Sequence, residues 1–210
     1  MTNVLLQTIY ITLIRALVLF TGLPVHEFAH AFMADKLGDD TPRRQGRLSL
    51  NPFAHLDLFG SLCMLVTGFG WAKPVQINPR NFKKSRSSNI LVALAGPVSN
   101  IIMALIVLII YKLIFKVGIT NTYLSFVLFQ IISINIGLAV FNLIPVPPLD
   151  GSQVLMPFLP TKFVLKILEN QIYVFLGLIL VLRIPVVSYA INAVANLIIR
   201  FLDLITGFLG

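Results

Sequence analysis

GLPVHEFAHAF, residues Gly22 to Phe32, closes an apolar run that begins at Val4 and is broken only by Gln7, threonines and Arg15. About 20 such residues cross the hydrocarbon core of a bilayer as a helix. Two histidines and a glutamate therefore stand at the end of a membrane span, where ionisable groups are costly unless partnered. On a helix, His26 and His30 are i and i+4, so both imidazoles share one face, a turn apart. That spacing lets two ring nitrogens reach one zinc ion. Glu27 between them, in HExxH, can stand beside the metal as a base without ligating it. A lone histidine would read as packed core. The full pattern inside an apolar helix reads as a metal site, with zinc the metal it favours.

The rest of the composition points the same way. Of 210 residues, 57% are hydrophobic and 11% charged, whereas soluble domains carry about 25% charged residues. The reading is an all-α polytopic membrane protein, a single membrane-embedded domain over 1–210. Five spans are expected, at roughly 4–37, 89–115, 122–144, 163–182 and 186–209. Four remain open if the last two form one bent segment. The first helix should bend at Pro24 and stop at Gly38. Arg15 should face the bundle interior or snorkel to the surface. Between the first two spans, RLSL and VQIN alternate like short strands, so a β-hairpin is expected there. LFGSLCMLVTGFG, residues 58–70, is too short and Gly-rich to cross and suits a re-entrant segment. The single cysteine, Cys63, excludes an intrachain disulfide and a CxxC metal site. The start of the chain lacks the basic residues and cleavage site of a signal peptide, so the first apolar run is expected to be retained.

The net charge of +8 does not indicate nucleic acid, because the basic residues gather in one loop. Nine of the sixteen lie between Lys36 and Arg86, against Lys112 and Lys116 in the next loop. The basic loop should be cytoplasmic, with the histidines toward that face.

A catalytic zinc needs a third protein ligand. Asp35 and the Asp39–Asp40 pair read as a solvated helix end and turn. His55 and Asp57, in NPFAHLDLFG, are credible ligands. Asp150 follows the third span and so returns to the face that carries His30. It sits in IPVPPLDG, whose prolines block helix continuation, and irregular backbone at that depth is tolerated where it lines a cavity. The alternative for Asp150 is a turn residue after a helix stop, and on the residues alone the choice stays open.

HEFAH at 26–30, GPVSN at 96–100 and FNLIPVPPLDG at 141–151 together resemble the site-2 protease family of intramembrane zinc metalloproteases. RRQGRLSLNPFAHLDLFGSL is similar to its short bacterial and archaeal subgroup, without a PDZ or CBS domain. The resemblance implies a helical bundle in a prokaryotic cell membrane with one zinc ion below the membrane surface. It implies His26, His30 and Asp150 as ligands and Glu27 as catalytic base. It gives Asn142 a part in positioning substrate or stabilising the oxyanion, against the alternative of an interhelical hydrogen bond. Substrates would be transmembrane or membrane-proximal segments of other proteins, which must be unwound because helices satisfy their own amides in lipid. GRLSLNP is the expected edge for receiving the unwound segment. A metal-binding membrane protein or transporter without peptidase activity is the rival reading.

Overall fold

The computed structural model describes residues 2–67, 70–83, 85–119 and 121–209. The first span is one continuous helical rod of unequal parts: α1 (Thr2–Leu17), a π turn (Val18–Gly22) and α2 (Leu23–Lys36). The expected bend at Pro24 is replaced by the π turn just before it. Proline lacks an N–H and crowds the carbonyl four residues earlier, and a widened turn relieves both. The Leu23 N–H reaches back five residues to the Val18 carbonyl. At the other end Asp39 N–H bonds the Ala34 carbonyl at 3.0 Å, with Gly38 at φ 108°. This is the left-handed glycine stop expected from the sequence.

Beyond a single turn, α3 (Thr41–Arg44), no β-hairpin forms among the described residues. There is one isolated antiparallel bridge, Leu56 to Ala72. Side chains hold the loop in an irregular path instead. His55 Nε2 donates to the Ser49 carbonyl at 2.6 Å, and Arg47 donates to the carbonyls of Ala54 and Lys73. Asn51 caps the turn at Pro52–Ala54, so GRLSLNP is not a strand.

Asp39 also departs from expectation. It is fully buried and joins the two ends of this region. Its carboxylate accepts from Thr41 N and Oγ1, from Asn78 N at 2.6 Å and from Asn81 Nδ2 at 2.7 Å. Burial alone would raise its pKa, but these bonds outweigh burial and hold the carboxyl below its ordinary value.

The apolar run after Asp57 is the short helix α4 (Leu58–Thr67). Asp57 Oδ1 accepts the Gly60 N–H at its start. Arg15 meets its other end: Nη1 donates to the Leu65 and Val66 carbonyls at 2.7 and 2.6 Å. The last carbonyls of a helix lack internal partners and carry partial negative charge. A cation in an apolar span thus finds acceptors without leaving the bundle.

Two long helices follow, α5 (Ser85–Lys116) and α6 (Thr122–Asn142). Their facing sides form the main core with Ala104, Val107, Leu108, Ile132, Ile136 and Val140. On the opposite side of α5, Ile102, Ile106 and Ile110 repeat every four residues and stay exposed, as a lipid-facing stripe should. Then come α7 (Asp150–Leu155), α8 (Thr161–Glu169), α9 (Gln171–Val181) and α10 (Pro185–Ile205). The span expected at 163–182 is not straight: α8 and α9 meet at 78°. Among the described residues, four helical segments are long and apolar enough to cross a membrane, or five counting that bent pair. Leu202 of α10 enters the α5–α6 core, and Lys112 Nζ pairs with Asp203 Oδ1 at 2.8 Å.

Hydrogen bonds to a charged donor are worth roughly 1.5–3 kcal/mol each. Replacing Arg15 by leucine should therefore loosen α4 and speed amide exchange across Leu58–Thr67 about tenfold or more, while α5 exchange stays unchanged. Hydrogen exchange by mass spectrometry in detergent checks this.

Candidate metal centre

His26 and His30 project from successive turns of α2, with ring planes at 81° and centroids 4.6 Å apart. They are 4% and 7% exposed. His30 Nδ1 lies 2.7 Å from the Val92 carbonyl on α5. A carbonyl only accepts, so Nδ1 carries a proton, and in the neutral ring Nε2 then presents a lone pair. His26 Nδ1 donates to Asn100 Oδ1 at 2.8 Å, which leaves its Nε2 in the same state. The two Nε2 atoms face each other at 3.0 Å.

Asp150 opens α7, where the chain turns after α6. Its Oδ2 lies 3.0 Å from His26 Nε2 and 3.2 Å from His30 Nε2. That oxygen is buried and has no hydrogen-bond donor. With both rings neutral, three acceptor atoms converge here, all within 4.8 Å of one another. A cation satisfies such a cluster. Two imidazole nitrogens and one carboxylate oxygen are a donor set for catalytic zinc, which keeps a fourth position open.

Two glycines allow this approach. A Cβ on Gly96 of α5 would sit 2.6 Å from His26 Cε1 and 2.7 Å from its Nε2. Only glycine lets α5 pass so close to both rings. A Cβ on Gly151 would meet the Leu143 carbonyl carbon at 2.5 Å, so the turn that presents Asp150 folds tightly onto the end of α6. Glu27 is half-buried beside this cluster on α2, and the Val75 N–H donates to its Oε2 at 3.3 Å.

The other candidates lie elsewhere. His55 is buried in the loop with Ser49, and Asp57 caps α4. Among the described residues, the one group of His, Cys, Asp or Glu side chains spaced to hold a metal is His26, His30 and Asp150. Asn142 makes no interhelical bond of the kind considered above; its Nδ2 donates to the Leu138 carbonyl of its own helix at 3.0 Å. The sequence reading missed the parts played by Val92, Gly96, Asn100 and Asn135. The signal for the two asparagines was present, since an amide inside an apolar span needs partners.

A membrane helix bundle with a buried two-histidine, one-carboxylate cluster beside a glutamate defines a membrane metallopeptidase. The comparisons agree. The family model described as Peptidase family M50 matches residues 113–183. The chain is 41% identical over 183 residues to "Putative zinc metalloprotease YwhC" of Bacillus subtilis, covering 85% of this chain and 84% of that protein. It is 29% identical over 168 residues to the like-named MJ0611 of Methanocaldococcus jannaschii, covering 79% and 82%. It is 30% identical over 154 residues to the like-named Rip2 of Mycolicibacterium smegmatis, where the match covers 66% of this chain and 54% of Rip2. No solved structure matches. The chain belongs to peptidase family M50, the site-2 protease family, and is with it a zinc-dependent intramembrane peptidase. The transporter reading is not favoured.

Gly96→Ala should force the imidazoles apart and weaken zinc retention at least about tenfold. Gly137→Ala, where a Cβ meets open space, should leave it unchanged. Zinc per chain after dialysis, measured on both variants, checks this.

Proposed function

We propose that His26, His30 and Asp150 hold the zinc ion and that Glu27 is the catalytic base, in a single membrane-embedded domain over 1–210. The observation that carries this reading is the convergence of two imidazole Nε2 atoms on a buried carboxylate oxygen that has no hydrogen-bond partner. Zinc bound there supplies a Lewis acid and activates water at neutral pH. Glu27 takes the proton from the attacking water and delivers it to the leaving amine. The Val75 N–H holds one carboxylate oxygen, leaving the other to work. Asn142 is the last residue of α6, where the Asp150 loop begins, and we assign it to the substrate backbone, for which it must exchange its bond to Leu138. Substrates are transmembrane or membrane-proximal segments, locally unwound before cleavage.

Cleavage of a reconstituted membrane substrate should stop with a chelator. Glu27→Gln should keep zinc yet lose activity by about 10²–10⁴-fold; undiminished cleavage would remove the proposed base. Asp150→Ala should lose zinc on dialysis and His55→Ala should keep it. The reverse would transfer the third ligand to His55.

The same reading puts the active site toward the cytoplasm, supported by the basic residues between Lys36 and Arg86. The Lys112–Asp203 pair supports four spans. It joins the far ends of α5 and α10, so both run in one direction. Pro185 then begins on the face where Asp150 lies, and α8–α9 enters and returns without crossing. Helix α4, held at its inner end by Arg15, dips in from the same face. Topology reporters after Asn78 and Arg183 should read cytoplasmic, and those after Gly118 and Gly207 external. External signal at Arg183 with cytoplasmic signal at Gly207 would mean five spans.

A further inference from the structure

Asn100 of α5 and Asn135 of α6 are both 0% exposed and lie behind the clustered side chains. Their bonds run in one direction. The Ile131 carbonyl has no hydrogen to give, so Asn135 Nδ2 donates to it at 2.8 Å. Asn135 Oδ1 is then turned toward Asn100, whose Nδ2 donates to it at 2.9 Å. The same Nδ2 reaches the Gly22 carbonyl at 3.1 Å, a second group that only accepts. Asn100 Oδ1 is therefore the atom left to face His26 Nδ1 at 2.8 Å. Turning the Asn100 amide over would set its oxygen against two acceptors and its NH2 against the ring.

We propose that Asn100 and Asn135 are positioning residues that fix which nitrogen of His26 carries its proton. A backbone carbonyl of the third span orients Asn135, Asn135 orients Asn100, and Asn100 holds the ring as the Nδ1–H tautomer. The Nε2 lone pair is aimed into the cluster before any metal arrives. This rests on the reading of His26 as a ligand. His30 needs no such chain, because the Val92 carbonyl performs the task directly. Groups that hold a metal-binding histidine from behind fix its tautomer and orientation.

The test compares the parent with Asn100→Leu, Asn100→Asp, Asn135→Leu and His26→Ala, purified in detergent. Zinc affinity is measured by chelator competition. The protonation site of each ring is read from 15N spectra of histidine-labelled, zinc-free protein at about pH 8, above the ordinary imidazole range. In the parent, His26 should be the Nδ1–H tautomer, a result that depends on no variant folding. Asn100→Leu should weaken zinc by about 10–100-fold and show both His26 tautomers. Asn100→Asp still accepts from Nδ1–H but sets its second oxygen against the Gly22 carbonyl and Asn135 Oδ1, so it should restore the Nδ1–H tautomer while recovering only part of the affinity. Asn135→Leu should fall between parent and Asn100→Leu. A parent His26 protonated at Nε2, or Asn100→Leu binding zinc as tightly as the parent, overturns the proposal. If that tight binding accompanies loss of zinc in His26→Ala, the ligand reading stands and only the positioning chain falls. If His26→Ala itself keeps zinc, the ligand reading has failed first.

Discussion

Two imidazole lone pairs and a carboxylate oxygen, pressed together out of water, are the constraint to which the rest of this protein answers. Such groups repel in a low-dielectric interior, and the burial of each costs free energy unless something positive joins them. The fold meets that demand from three directions. The first span supplies both rings, the second spans their backs with Val92 and Asn100, and the turn after the third supplies the oxygen. None of the three could form the cluster alone.

Close approach is the second requirement, and it accounts for the short motifs. GPVSN places a glycine against the rings and an asparagine one turn later behind His26. LDG places the carboxylate at the start of a short helix and a glycine against the preceding turn. In each motif the chemically active residue and the residue that makes room for it are neighbours in sequence.

The i, i+4 histidines were legible because helical geometry alone puts them on one face. The position of Asp150 was legible because counting spans returns it to the face of His30. The β-hairpin expectation failed for a physical reason: alternation in RLSL describes side-chain faces, but pairing needs free carbonyls and an extended chain, and here His55 takes the Ser49 carbonyl while Asn51 caps a turn at Pro52. The partner of Arg15 was hidden because it is backbone, the open end of a helix fifty residues away. Asp39 misled because an aspartate beside a glycine stop usually faces solvent, whereas here Asn78 and Asn81 fold back onto it. What stayed illegible was what long-range hydrogen bonding decides.

The π turn in the first span has a consequence for angular register. Arg15 and His26 are eleven residues apart, and in a regular helix eleven residues make three turns plus about 20°. Arg15 would then point almost the same way as His26, a fixed positive charge on the face that carries both histidines. One surplus residue, absorbed between Val18 and Gly22, turns the outer half of the rod by about 100° relative to the inner half. The guanidinium swings off the histidine face and meets the carbonyl end of α4. A single widened turn thus sorts the guanidinium and the histidine pair onto different faces of one helix, the first toward backbone carbonyls and the second toward Asp150.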